Sequence, residues 1–421
     1  MRLAATLFVP ALVAATAAAD WPRFRGADGH GIGMSAVPVE WSDAQNLLWK
    51  AALPGPGSSS PVIHGDDVFV TCYTGGAPGA AVVRHLLCFD RTTGAEKWRR
   101  EVPADGPEDP YEGFLTEHGY ASSTPVVDAD AVYAFFGKSG VMAFDRAGRP
   151  LWRAAVGVES SDRRWGSAAS LIRHGDLVIV NASEESQSLR GLDRKTGREV
   201  WKAEAAALEL AYGTPAVVRL ADGREDLVIA VPTELWGLDP ATGRIRWYAT
   251  HALTGNVSPS VVVDGEVVYV FGGFRSAGSL AVRAGGSGDV TGSHVLWTSR
   301  ASSYVATPLL HEGLLHWIDD RGQAFCLDAR TGEQRYRRRV AEIEGGGRPV
   351  YASPVSSAGR LIIPTRWSGT LVLAAGPDYR VLACNRFEAD DSDFSGTPAI
   401  DAGRLFLRSG RFLYCVGEPA P

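Results

Sequence analysis

The sequence predicts an all-β protein, a ring of repeated four-stranded antiparallel sheets. Three observations predict it. First, the phrase Ala143-Phe144-Asp145…Gly148…Trp152 recurs as Cys88-Phe89-Asp90…Gly94…Trp98, Gly191-Leu192-Asp193…Gly197…Trp201 and Gly237-Leu238-Asp239…Gly243…Trp247, with a partial copy at Cys326-Leu327-Asp328…Gly332…Tyr336. Such self-similarity means that one supersecondary unit was copied. Second, a hydroxyl residue and Pro open an apolar run at Ser60-Pro61, Thr124-Pro125, Thr214-Pro215, Ser258-Pro259, Thr307-Pro308, Ser353-Pro354 and Thr397-Pro398, and Ala169-Ser170 fills the gap without Pro. Third, a Trp-bearing strand at Leu48-Trp49-Lys50 precedes the first such start, and the last unit ends at Val416 one strand short.

Each unit reads in the same order. The first strand is the run after the Pro, such as Val126-Val127; a Gly/Asp turn follows, such as Asp264-Gly265. The second is β-branched and aromatic, such as Val132-Tyr133-Ala134-Phe135-Phe136. The third ends at the repeat Asp, and the fourth carries the Trp. Short β-rich runs at even spacing with turn residues between them argue antiparallel sheets. No long stretch has helical period. The Asp caps backbone N–H groups of a tight turn, and the Gly supplies a positive φ. The small residue two before the Asp leaves room for a large ring. Trp49, Trp98, Trp152, Trp201, Trp247 and Trp297 are the expected wedges between sheets.

Eight starts and eight fourth-strand candidates, the last near Leu382, give an eight-bladed β-propeller closed by its N-terminal strand. Closure removes sheet edges that template aggregation. Seven blades is the alternative, because the unit at Ala169 is atypical.

The Ala-x-Asp-x-x-Thr-Gly-x-x-x-Trp pattern, over roughly residues 45–417, resembles the tryptophan-docking repeat of the pyrroloquinoline quinone (PQQ)-like propellers. Asp20-Trp21-Pro22-Arg23-Phe24-Arg25-Gly26 and Arg283-Ala284-Gly285-Gly286-Ser287-Gly288-Asp289-Val290-Thr291 resemble a secreted bacterial subgroup of them. The resemblance implies the fold and leaves the activity open. The family includes quinone-dependent dehydrogenases and a non-catalytic lipoprotein of the outer-membrane barrel assembly machinery.

Residues 1–19 read as a secretory signal: Arg2, an apolar core from Leu3 to Val13, and a small-residue cleavage site at Ala17-Ala18-Ala19. Residues 20–421 are expected to form one propeller domain in the periplasm or outside the cell. No other window reads as a membrane span, and no Cys lies near the cleavage site to take a lipid anchor. A net charge of −6 over 421 residues argues against nucleic acid. Of the five Cys, Cys88, Cys326 and Cys415 occupy the small-residue slot and are expected to be buried thiols. A Cys72–Cys88 disulfide remains open, and no Cys spacing fits a metal or haem site.

Several motifs have plain readings. Gly137-Lys138-Ser139 is a hairpin turn, because Val132 stands where a phosphate loop needs its first Gly, and Tyr133 beside it is not Gly either. Gly285–Gly288 reads as a long hairpin loop. Asn181-Ala182-Ser183 and Asn256-Val257-Ser258 match a glycosylation acceptor only by chance. Glu117-His118 falls in an acidic, Pro-rich insertion, Pro103–Gly119, read as a solvated loop; Asp319-Asp320-Arg321-Gly322 reads as a turn.

The residues just before each first strand rim the central funnel. They are Tyr120, Trp165, Tyr212, Tyr304, Tyr351 and Phe394, with Asn256 in the fifth unit; Arg366, Trp367 and Arg275 are expected near the same face. Aromatic rings with polar tips suit a binding platform, and equally suit sealing the channel. The sequence names no catalytic set and no metal cluster. The expected function is a non-catalytic binding or protein-interaction scaffold, like the barrel-assembly propeller, taking a protein or extracellular ligand at the funnel face, with no cofactor. The alternatives are a quinoprotein dehydrogenase holding PQQ and Ca²⁺, and a carbohydrate-binding propeller.

Overall fold

The computed structural model describes residues 20–76 and 80–419. The segment read as a leader, 1–19, lies outside the described residues. Eight antiparallel sheets follow one another around an axis. In blade one the strands are Val62–His64, Asp67–Thr74, Val83–Asp90 and Glu96–Pro103, running from the axis outward. Blades two to seven repeat that order, and their innermost strands neighbour one another around the axis. The eighth sheet takes three strands from the C-terminus, and Leu47–Ala52 completes it by pairing with Phe412–Val416. The ring closes as expected, with eight blades rather than seven.

Burial explains the strand composition. The second and third strands of blade one are buried along almost their whole length, whereas the outermost strand is largely exposed. The core is correspondingly divided: separate apolar clusters fill the wedges between successive sheets. Every outermost strand carries a bulge one residue before the Trp position. An extra residue there turns the ring toward the neighbouring blade.

The docking joint is the same at five of the Trp positions. Each indole lies over the small residue opposite it in its own sheet and reaches the next blade's turn. The Trp49, Trp98, Trp152, Trp201 and Trp297 N–H groups donate to the carbonyls of Arg91, Arg146, Arg194, Pro240 and Ala329, each one residue past the repeat Asp. The turn Gly must be Gly twice over. At Gly94, φ is +71°, and a Cβ would sit 2.6 Å from the Trp49 ring. Trp247 departs from the pattern: its N–H donates to the buried Asp226 carboxylate at 2.8 Å. The next blade has no Asp-Thr-Gly turn there. Instead Gly288–Asp289, in the Gly-rich stretch read as a hairpin loop, forms a fifth, parallel strand on blade four. Blade seven has Ala383 at the Trp position, and buried Trp41 from the N-terminal segment joins the core beside it.

All five Cys are free thiols. Cys72 and Cys88 belong to different core clusters, because their positions face opposite sides of the blade-one sheet. Burial pushes the Cys72 thiol up to about 11. Asn181 and Asn256 are buried too. No helix among the described residues is long and apolar enough to cross a membrane.

Candidate functional site: a plugged and roofed axial cavity

The hydroxyl residues that open each blade form a belt around the axis. The Ser60 amide donates to Thr124 Oγ1, Thr124 to Ser170 Oγ, Ser170 to Thr214 Oγ1 and Thr214 to Ser260 Oγ. Ser260 then donates to Thr307 Oγ1, Thr307 to Ser353 Oγ and Ser353 to Thr397 Oγ1. All seven distances are 2.9–3.1 Å. In blade five the position belongs to Ser260, two residues beyond the Ser258-Pro259 pair the sequence suggests. At the seam between the last blade and the first, fully buried Arg408 donates to Ser59 Oγ and the Thr71 carbonyl. Burial lowers its guanidinium to about 10, still charged at neutral pH.

The N-terminal motif closes one end of the channel. Trp21 exchanges two backbone hydrogen bonds with Ile63, and the Pro22 carbonyl accepts from Val127. The buried Arg25 guanidinium donates to the Pro308 carbonyl at 2.9 Å and to that of His30 at 3.0 Å. Ile32–Gly33 then pairs with Ser356–Ser357 of blade seven. The segment thus bridges blades one, two, six and seven, and the Phe24 ring lines the cavity.

The cavity above this plug has a volume of about 160 Å³. Trp165, Tyr212, Tyr304, Tyr351 and Asn256 line it together with the hydroxyl belt. Trp165 and Tyr212 stack with centroids 5.8 Å apart. Tyr120 and Phe394 stand elsewhere. Tyr120 packs edge-on against Tyr73 at 5.2 Å, and Phe394 stacks with Phe387 and Tyr414. Ser122 and Ser395 of the same lead-ins do line the cavity, so it is the two rings, not the loops, that are packed elsewhere. Arg366 lies over Tyr351 at 4.7 Å and over the exposed Trp367 ring at 4.3 Å.

The insertion read as a solvated loop is a roof. Phe114 lies 4.4 Å from Trp165 and 6.0 Å from Tyr304, and the Arg348 guanidinium covers Phe114 at 4.3 Å. Glu117 pairs with Arg366 at 2.5 Å, and Arg366 pairs also with Asp393 at 2.5 Å. His118 Nε2 donates to the Trp165 carbonyl at 2.8 Å, and Nδ1 faces the Ser122 hydroxyl. Burial lowers its pKa, so the imidazole is neutral. Arg84–Glu108 and Lys138–Asp109 pin the insertion to blades one and two.

Beside the axis the structure reveals a carboxylate pair that no repeat pattern marks. Glu184 and Glu185 sit in a one-turn helix, Ser183–Ser186, in the hairpin of blade three. Glu184 Oε1 accepts from the Tyr212 hydroxyl at 2.6 Å and from Ser161 at 2.8 Å. Glu185 bonds the Ser167 hydroxyl through Oε1, and its buried Oε2 has no partner among the described residues. Burial pushes Glu185 up to about 7. A carboxyl with a raised folded pKa favours folding fully while protonated below the unfolded value near 4.5, and that favour fades as pH rises through 7. Glu185→Gln is therefore expected to raise the thermal midpoint at pH 8 and change it little at pH 5. The difference corresponds to at most about 3 kcal/mol. Equal shifts at both pH values would contradict it.

A family model described as outer membrane protein assembly factor BamB matches residues 39–161 and 84–338. No curated protein matches the chain. Among solved structures, the chain is similar to BamB from Moraxella catarrhalis at 14% identity and a TM-score of 0.62, over 89% of this chain and 98% of that one. It is similar to the computationally designed Ika8 protein at 11% identity and a TM-score of 0.59, over 89% and 100%. It is also similar to the quinohemoprotein alcohol dehydrogenase ADHIIG from Pseudomonas putida HK5 at 12% identity and a TM-score of 0.50, over 96% and 82%. At these identities the likeness is one of fold.

Proposed function

The chain belongs to the PQQ-repeat β-propeller family, whose matching model is described as outer membrane protein assembly factor BamB, and from that premise we propose that it is a non-catalytic interaction scaffold. Residues 20–421 act as one exported domain, in the periplasm or outside the cell, with residues 1–19 as its leader. Its partner is a protein that docks on the funnel face. The observation that carries this reading is the exposed Trp367, 52% accessible, with the Arg366 guanidinium over its ring at 4.3 Å, beside the roofed cavity. Trp and Arg are among the side chains enriched at the hot spots of protein interfaces.

A quinone-dependent dehydrogenase is the second reading the fold admits, and the residues do not fit its group. Trp165, the indole on which a planar ring would have to stack, is already crowded by Phe114 at 4.4 Å and by Tyr212 stacked at 5.8 Å. Among the described residues, the lining supplies hydroxyls, phenols and a neutral imidazole, and no guanidinium for a tricarboxylic quinone. The Glu184 carboxylate is already committed to Tyr212 and Ser161.

A photo-crosslinker placed at Trp367 is expected to give one discrete protein adduct in the native cell envelope. Arg366→Glu should abolish it, and the same label at exposed Leu151 should give none. Adducts from both positions alike would refute a funnel-face partner. Oxidation of an alcohol or sugar by protein reconstituted with PQQ and Ca²⁺ would replace the scaffold reading altogether.

A further inference from the structure

A basin of about 480 Å³ opens between blades five and six, beside the axial cavity, and Tyr304 lines both. Five guanidinium groups converge on it from separate elements. Arg275 comes from the hairpin of blade five, Arg300 from the lead-in to blade six and Arg321 from its hairpin. Arg337 comes from its outermost strand, and Arg348 from the lead-in to blade seven.

Among the described residues that line the basin, two are carboxylates, Asp319 and Asp320. Asp319 caps its own turn by accepting from the Arg321 and Gln323 amides, and Asp320 lies 3.6 Å from Arg348. Among the described residues, Arg275, Arg300, Arg321 and Arg337 form no ion pair. A chain of net charge −6 thus gathers unneutralised cations in one concavity. Like charges so placed repel one another until an anion enters. Arg275 also holds a left-handed backbone, φ 76°. A non-glycine residue pays for that conformation, and such strain clusters where a side chain is aimed at a ligand. The accessible aromatic wall is Phe274, exposed, with half-buried Tyr304 beside it at 6.3 Å; Phe325 is buried, stacked on Trp317 at 4.8 Å, and serves as the seat on which the Arg337 guanidinium rests at 5.3 Å.

We propose that this basin binds an acidic oligosaccharide. Guanidinium forks take its carboxylate or sulfate groups in paired hydrogen bonds, and Phe274 with Tyr304 takes the apolar face of a sugar ring. The site is independent of the funnel-face partner proposed above. A concave basin of about 480 Å³ suits a discrete ligand better than a flat membrane surface.

The test is calorimetric titration of the whole protein with heparin-derived hexasaccharide, and with a neutral malto-hexasaccharide as control. Binding is expected for the acidic ligand alone and should weaken as salt is raised. Arg300→Ala/Arg337→Ala should weaken it by about tenfold or more. Arg300→Lys/Arg337→Lys, which keeps the charge and loses the fork, should fall between. These arginines are exposed, so an unchanged thermal midpoint confirms that the variants fold. Absence of binding, or affinity unmoved by the double alanine variant, overturns the proposal. So does capture of the protein by phosphatidylglycerol vesicles with no binding to the hexasaccharide, which would assign the basin to a membrane surface.

Discussion

Trp247→Ala is expected to cost about 3–5 kcal/mol of stability, more than any other single indole in the ring. Trp247 has no exposed surface, whereas the other docking indoles keep part of theirs. Gly237 opposite it leaves the space it fills: a Cβ there would lie 2.0 Å from the ring. Its N–H also completes the solvation of Asp226, a fully buried carboxylate whose other oxygen is held by Arg246 at 2.5 Å. Truncation opens a cavity and removes a donor from a buried charge, and the two penalties add. Trp165→Ala removes only partly covered contacts with Phe114 and Tyr212, and should cost under about 1.5 kcal/mol. Urea denaturation followed by far-ultraviolet dichroism separates the two without relying on tryptophan emission. Equal losses would refute the division between wedge and rim indoles.

Removing residues 20–53 is expected to do more damage still. The last sheet would lose Leu47–Ala52 and expose the whole edge of Phe412–Val416. The cores beside blades seven, eight and one would lose Trp21, Trp41 and Trp49 together. The plug formed by Phe24 and Arg25 would leave the channel. The summed loss exceeds about 5 kcal/mol, comparable with the total stability of an ordinary domain. The truncated chain should elute as oligomers by light scattering, since an open edge recruits further strands. A synthetic peptide of residues 20–53 should restore the monomer in trans. A truncated monomer melting within a few degrees of the whole chain would show that the seam is held by something other than this strand.

What was legible in the sequence was whatever repeats. The Asp, Gly and Trp of each turn recur because each performs the same contact, so the blade number and closing strand could be counted. The hydroxyl at each start was legible as a strand marker, though not its hydrogen bond to the next blade, and in blade five Ser258-Pro259-Ser260 offers two hydroxyls, of which Ser260 joins the belt. Features present once were not legible. The insertion's composition suggested solvent, yet Phe114 is held over Trp165 by Arg348, a residue more than two hundred positions away. Tyr120 and Phe394 have the right spacing, but neighbouring rings (Tyr73 for one, Phe387 and Tyr414 for the other) draw their side chains off the cavity. Glu184 and Glu185 lie in a hairpin whose one-turn helix leaves no periodic trace. The Trp-Pro-Arg-Phe-Arg stretch was visible as a motif, though nothing in it told that it would cross the axis.

The belt of amides and hydroxyls has an evolutionary corollary. Seven of the eight joints are split between neighbours, one copy giving the N–H and the next the oxygen, and Arg408 bridges the eighth. A whole copy can therefore be inserted or lost with donors and acceptors still in phase, whereas a fractional copy strands an amide at the axis with nothing to bond. Wheels of this kind should change size by complete spokes, and the gene should record those events as in-frame duplications whose breakpoints fall at equivalent places in the unit.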